Sequence, residues 1–291
     1  MLFGAKFFLF MKIPEYKNTF VQQLIPFYEK EEIENFFYLI LKHLKNISRV
    51  DLALNPNLEF SENELKNMAF YLQELKNNKP IQYILGSTKF LGLEFEVNPN
   101  VLIPRPETEE LIDWIISENK NRTNLKILDI GTGSGCIAIS LAKNLKAEVT
   151  AFDISEKALE TAQKNADRNQ AFVHFIEFDI LNDIWEGQQF DIIVSNPPYV
   201  RESEKKQIKL NVLDNEPHLA LFVSDQDALI FYRKIADFAL KHLSENGQLF
   251  FEINQYLGKQ TVSLLEEKGF KNIILKKDIY GNDRMIFALK P

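Results

Sequence analysis

The chain reads as an α/β protein. It has a doubly wound, Rossmann-like sheet of seven strands with an antiparallel hairpin at one edge, preceded by a small all-helical domain. Three observations carry that reading. From Leu125 onward, apolar β-rich segments alternate with helical patterns. The last two strands are joined only by DIYGND, too short for a crossover helix. From Pro14 to Leu75 the apolar spacing is helical, and glycine is absent between Ala5 and Leu85.

Composition sets the outer bounds. The 291 residues allow one to three domains, and 45% hydrophobic with 26% charged residues excludes disordered, collagenous and disulfide-scaffold classes. Forty-one acidic against 34 basic residues leave a net charge of −7, which argues against a protein that lives by clamping phosphate backbones. One local basic groove stays open. The single cysteine, Cys136, excludes an intramolecular disulfide and a multi-cysteine zinc site, and fits a reducing compartment. No His/Asp cluster has ligand spacing, so no metal is expected.

The elements follow in order. In MLFGAKFFLF (1–10), Lys6 interrupts the apolar run and no small-residue cleavage site follows. No run anywhere reaches the ~20 apolar residues that a membrane helix needs. Met11 opens an ordinary cytosolic start, so residues 1–10 are expected to be an upstream extension or a frayed segment, and the protein cytoplasmic with no membrane contact. Phe20, Leu24 and Phe27, then Ile33, Phe36, Phe37, Ile40, Leu41 and Leu44, form apolar helical stripes. Ser61-x-x-Glu64 is a capping box ahead of Leu65, Met68, Ala69 and Leu72. These make a helical domain over 1–79.

IQYILG and LEFEVN, parted by Gly86 and Gly92, predict a β-hairpin linker over 80–103. The catalytic domain is expected at 104–291, where Pro106 opens a helix that turns Leu111, Trp114 and Ile115 inward. Its strands are LKILDI, EVTAF, VHFIEF, DIIVSN, QLFFEIN, NIILKK and RMIFALK. Helices fit at 136–145, 155–167, 227–243 and 256–268, the third capped by Ser224-x-x-Asp227.

ILDIGTGSGCIAI (127–139) runs from a strand through a glycine loop into a helix, which lets backbone amides approach a ligand at the helix's positive end. A dinucleotide fingerprint wants Gly or Ala where Cys136 stands, and no Lys-Ser/Thr pair makes a P-loop. Asp129 places a carboxylate at the loop's floor, favouring a cationic ligand. Asp153 ends the second strand, where it can accept from both hydroxyls of a ribose. Asp179 ends the third, where it can bond an adenine amino group while Ile180 packs on the ring. A nucleoside with a positively charged tail is implied, and S-adenosylmethionine fits.

The fourth strand ends in Asn196-Pro197-Pro198-Tyr199. Prolines stiffen the loop and leave carbonyls free to accept. The Asn196 side-chain oxygen and the Pro197 carbonyl can take both hydrogens of a planar NH₂, and the Tyr199 ring can pack on the substrate. Such a nitrogen has a delocalised lone pair, so positioning and strengthening hydrogen bonds are the help available.

On these residues the chain resembles the HemK/PrmC class of protein-(glutamine-N5) methyltransferases, which act on the GGQ glutamine of peptide chain release factors. The resemblance runs through PIQYILGSTKFLGLEFEVNPNVLIPRPETEEL (80–111), the glycine loop, NPPYV, NEPHLALF (215–222) and YGNDR (280–284). It implies a class I methyltransferase fold, S-adenosyl-L-methionine as donor with S-adenosyl-L-homocysteine as product, and a helical lobe that docks the release factor. It also implies cofactor contacts from Gly131, Thr132, Gly133, Ser134, Gly135, Asp153, Ile180 and Asn196. Asn196, Pro197, Pro198 and Tyr199 hold the amide, with Asn196, Pro197 and Tyr199 the catalytic set. Ile180 departs from the aromatic that relatives can carry there, so stacking on adenine is weaker. Arg105 and Glu216 fall in family motifs and read as structural or site-supporting. A ribosomal-protein glutamine and a DNA adenine remain as alternative substrates. Adenine is disfavoured because no basic tract or extra recognition segment interrupts the sheet; a monomer is expected. His43, His174, His218 and His242 sit in helices, strands or loops with no sign of a general base.

Overall fold

The computed structural model describes residues 10–291, with side chains from Met11 onward. The reading of 1–10 as an extension therefore lies outside the described residues, apart from the backbone of Phe10. The chain divides into two compact units, one ending at Leu85 and the other spanning Gly86–Pro291.

The first unit runs β1 (Phe10–Lys12), α1 (Ile13–Leu24), α2 (Lys30–Lys45), α3 (Arg49–Leu54), β2 (Glu59–Ser61), α4 (Glu62–Lys76) and α5 (Ile81–Leu85). It is helical as expected, with one addition: β1 and β2 pair antiparallel, Met11 opposite Phe60. Phe20, Phe37, Ile40, Leu41, Phe60 and Leu75 are fully buried in a core of their own. Ser61 and Glu64 form the expected capping box at the start of α4, and Lys45 anchors the Glu64 carboxylate at 2.8 Å. The residues read as β-rich in IQYILG form α5 instead. Ile81 is buried in the helical core, and that packing outweighs the strand propensity of Ile and Tyr.

The second unit opens with β3 (Ser87–Phe90) and β4 (Leu93–Glu96), an antiparallel hairpin closed by Leu91 and Gly92. Both turn residues have positive φ, 45° and 74°, as a primed turn requires. Leu91 tolerates this because its amide donates to Glu109 at 2.8 Å. There follow α6 (Pro106–Asn119), β5 (Thr123–Ile130), α7 (Cys136–Asn144), β6 (Lys146–Asp153), α8 (Glu156–Asn169), β7 (Val173–Glu177) and β8 (Phe190–Ser195). A stretch of short elements holds β9 (Val200–Arg201), α9 (Leu210–Leu213), α10 (His218–Leu221) and β10 (Phe222–Val223). The unit closes with α11 (Ile230–His242), β11 (Leu243–Glu252), α12 (Gly258–Glu267), β12 (Lys271–Lys277) and β13 (Asp283–Leu289).

The seven-stranded sheet has the order β12-β13-β11-β8-β5-β6-β7. Only β13 runs antiparallel to its neighbours, which gives the expected edge hairpin. Neighbouring residues along a strand serve opposite faces. Ile127 and Phe250 enter one core, while Leu128 and Phe251 enter the other. The helix expected from Asp227 begins at Ile230. Ser224 caps a short 3₁₀ turn (Asp225–Asp227) instead, and both Asp227 oxygens accept from Arg233 at 2.8 Å.

Candidate active site

The carboxyl ends of β5, β6 and β8 open onto one cavity with about 1040 Å³ of empty space, its mouth included. This is where a doubly wound sheet places a ligand. Gly131 and Gly133 line it with φ of 77° and 55°, and a Cβ built on either meets nothing within 4 Å. The loop is pinned to β6 by amides of Gly131 and Thr132, which donate to the Phe152 carbonyl at 2.8 and 2.9 Å. Asp153 lines the cavity, and its two oxygens accept from the amides of Gly133 (2.8 Å) and Ser155 (2.9 Å). Each oxygen keeps a second lone pair for a ligand. Burial pushes the Asp153 carboxyl up, against the pull of those amides.

Asp179 and Ile180 also reach the wall. The Asp179 oxygens accept from the Leu181 amide and the Asn182 side chain at 2.9 and 2.7 Å. Ile154, Phe178, Leu181, Phe231 and Ile235 complete an apolar side. Asn196, Pro197 and Pro198 face the cavity from the end of β8. The opposite rim is made by Asn100, Val101 and Leu102 with Pro217, Leu219 and Ala220. Those two segments are tied by Glu216, whose buried carboxylate accepts from Arg105 at 2.6 Å and from the Ile103 amide at 3.2 Å.

Other expected residues stand behind the wall. Asp129 is fully buried; burial pushes its pKa up to about 7, against the Thr132 hydroxyl that donates to it at 2.6 Å. Its carboxylate thereby ties the strand end to the glycine loop from below. Thr132 makes that tie from the other side, and the buried Ser134 carbonyl accepts from Asn165 at 2.9 Å. Gly135 packs against α8, where an added Cβ would lie 3.1 Å from the Ala162 Cβ. Tyr199, expected to pack on the substrate, turns its hydroxyl inward to Glu252 at 3.1 Å. His218 bonds the Leu213 carbonyl, and no histidine lines the cavity.

Two residues given no role by sequence reasoning complete the setting. Glu252 ends β11 and is 1% exposed; it accepts from Thr108 at 2.6 Å and from Tyr199. Thr108, in the first turn of α6, lies 3.4 Å from the Asn196 side-chain nitrogen. The signal was present, since Glu252 is another carboxylate closing a buried parallel strand. Among the described residues no His, Cys, Asp and Glu group could hold a metal, and no helix is long and apolar enough to cross a membrane.

Comparison with known proteins adds two family models. Residues 111–221 match the methyltransferase small domain, and residues 23–86 match the PrmC N-terminal domain. The release factor glutamine methyltransferase of Flavobacterium psychrophilum is 61% identical over 95% of this chain and 98% of its own. That of Bacteroides thetaiotaomicron is 46% identical over 92% and 96%. In fold, a methyltransferase from Pyrococcus furiosus aligns with a TM-score of 0.51 at 20% identity, over 78% of this chain and 98% of that one.

Proposed function

The chain belongs to the family of release factor glutamine methyltransferases, and from that membership we propose that it methylates the side-chain amide nitrogen of the GGQ glutamine in peptide chain release factors, with S-adenosyl-L-methionine as donor. The observation that carries the reading at the site is the placement of Asn196, Pro197 and Pro198 on the same cavity as the glycine loop.

The residues present fit the donor. Gly131 and Gly133 leave open space where side chains would intrude, and the spare lone pairs of Asp153 suit a ribose diol. Ile180 and its apolar neighbours suit a purine, and a spare Asp179 lone pair suits its amino group. Asp129, Thr132, Ser134 and Gly135 act indirectly, by holding the loop in shape. When bound, the donor supplies an electrophilic methyl group on a sulfonium and becomes S-adenosyl-L-homocysteine.

The chain's own part in the chemistry is positioning. The Asn196 side-chain oxygen and the Pro197 carbonyl accept both hydrogens of the glutamine NH₂ and fix its nitrogen. As that nitrogen gains positive charge, its N–H groups become stronger donors and both bonds tighten. Help of this kind acts on the transition state more than on the bound substrate. The surplus proton leaves to water. In this reading the helical unit docks the release factor, and the enzyme works in the cytoplasm as a monomer without nucleic acid, membrane or metal.

The test is labelled S-adenosylmethionine offered with a release factor, with ribosomes and with duplex DNA in parallel. Label is expected in the release factor glutamine; label in DNA or ribosomal protein alone would overturn the substrate. Asn196→Ala is expected to lower turnover by about 10²–10³-fold. Binding of S-adenosylhomocysteine, followed by calorimetry, is expected to stay near wild type.

A further inference from the structure

Glu252 sits level with the reacting loop. In the β8–β11 ladder Phe251 pairs with Ser195, so Glu252 and Asn196 are the next residues on adjacent parallel strands. Phe251 enters the core on one face, which sends Glu252 to the other, toward the first turn of α6. There its Oε2 accepts the Thr108 hydroxyl at 2.6 Å and its Oε1 accepts the Tyr199 hydroxyl at 3.1 Å. Thr108 and Glu252 are both almost fully buried, so water does not compete for these bonds.

An asparagine amide is nearly symmetric in shape but not in polarity. Turned one way it offers a substrate NH₂ the acceptor it needs; turned the other way it sets donors against donors. Burial pushes the Glu252 carboxyl up, opposed by the Thr108 hydroxyl, Arg284 and the Tyr199 hydroxyl. As a carboxylate it can only accept, so the short bond takes the single hydroxyl proton of Thr108. The remaining lone pairs of Thr108 can only accept, so the half of Asn196 that faces Thr108, 3.4 Å away, must be the NH₂. The carbonyl oxygen is then the half left for the substrate. Glu252 also fastens Tyr199, so two residues of the Asn-Pro-Pro-Tyr loop lead back to one carboxylate.

We propose that Glu252 is a positioning residue for methyl transfer, which, through the Thr108 hydroxyl, sets the polarity of the Asn196 amide. This rests on the amide clamp proposed above. The bridge spans 144 positions of sequence and joins three elements, α6, β8 and β11, none of which alone brings these groups together.

Thr108→Val keeps the shape and removes the proton, whereas Thr108→Ser keeps the proton and removes only a methyl. For T108V, kcat is expected to fall by about tenfold to a hundredfold, the range seen when a partner orienting a metal-ligating side chain is lost. KM for the release factor and the S-adenosylhomocysteine dissociation constant are expected to stay within about threefold, and T108S to recover wild-type kcat within about threefold. A purely structural role would lower the melting temperature without splitting kcat from KM. A folded T108V with wild-type kcat overturns the proposal. If T108V does not fold, Glu252→Leu replaces it. Leucine cannot accept the Thr108 proton, so a tenfold or greater loss of kcat with KM kept within about threefold supports the bridge and wild-type kcat overturns it. Asn196→Ala separates the two ideas. Full turnover in N196A removes the clamp itself, whereas an inactive N196A beside a fully active T108V removes only the Glu252 bridge.

Discussion

Gly131 and Gly135 share a left-handed backbone, with φ of 77° and 81°, yet they carry different burdens. An alanine at Gly135 adds a clash to the strain, since its Cβ would lie 2.9 Å from the Ile139 side chain. Gly135→Ala should therefore destabilise by about 2–4 kcal/mol, combining left-handed strain with overpacking. Gly131→Ala should lose only about 1–2 kcal/mol from strain, and should weaken S-adenosylhomocysteine binding because its methyl enters the cavity. Denaturant titration and calorimetry read both; equal stability loss in the two variants would refute the distinction. Asp129 makes a pH prediction. Its folded pKa of about 7 lies above the usual carboxylate value, so the folded state holds the proton more tightly than the unfolded chain. The stabilisation this brings is complete below pH ~4 and is lost as pH rises to ~7. Asp129→Asn, which keeps an acceptor for Thr132, is thus expected to gain melting temperature relative to wild type on going from pH 5 to pH 8. A constant difference would show that Asp129 does not titrate in that window.

Between elements, the decisive contacts gather at strand ends and in the strap that rims the cavity. Glu216→Ala leaves the buried Ile103 amide without an acceptor and frees Arg105, which is part-exposed and can rehydrate. A loss of about 1–3 kcal/mol is expected, mostly from the orphaned amide. Weaker S-adenosylhomocysteine binding should accompany it, because Leu102 and Pro217 on the two tied segments line the cavity. Unchanged affinity would detach the pair from the site. The sheet was legible because its strands, buried on both faces, read as continuous apolar runs such as KILDI and DIIVSN. The glycine loop was legible as backbone, but a motif does not say which side chains look outward. Hence Asp153 reached the wall while Asp129, Thr132 and Ser134 stayed behind it. The four-residue α9 and α10 and the two-residue β9 and β10 are too short for periodicity to reveal. Propensity misread α5, where burial of Ile81 decided the outcome. Thr108 and Glu252 stood in plain sequence, but their bond is a tertiary fact.

Across the molecule, each unit has apolar cores of its own, and both tryptophans, Trp114 and Trp185, belong to the second. Ligand binding stabilises what it binds, by about 2.7 kcal/mol at a hundred times the dissociation constant. Saturating S-adenosylhomocysteine should therefore raise the urea midpoint seen by tryptophan fluorescence more than it slows hydrogen exchange in α2 and α4. Equal gains would mean that the units unfold as one. A last consequence follows from β13, which lies between β11 and β12 although it is the final strand of the chain. During synthesis, β11 has no partner on that side until residues 283–289 have left the ribosome, so the flank of Phe250 and Phe251 stays uncovered while the last stretch of the chain, from β11 to β13, is made. A frameshift or early stop that removes as little as this last strand leaves a hole inside the sheet rather than a trimmed edge. Such truncated chains should be recovered in aggregates or degraded, and should not survive as slower enzymes.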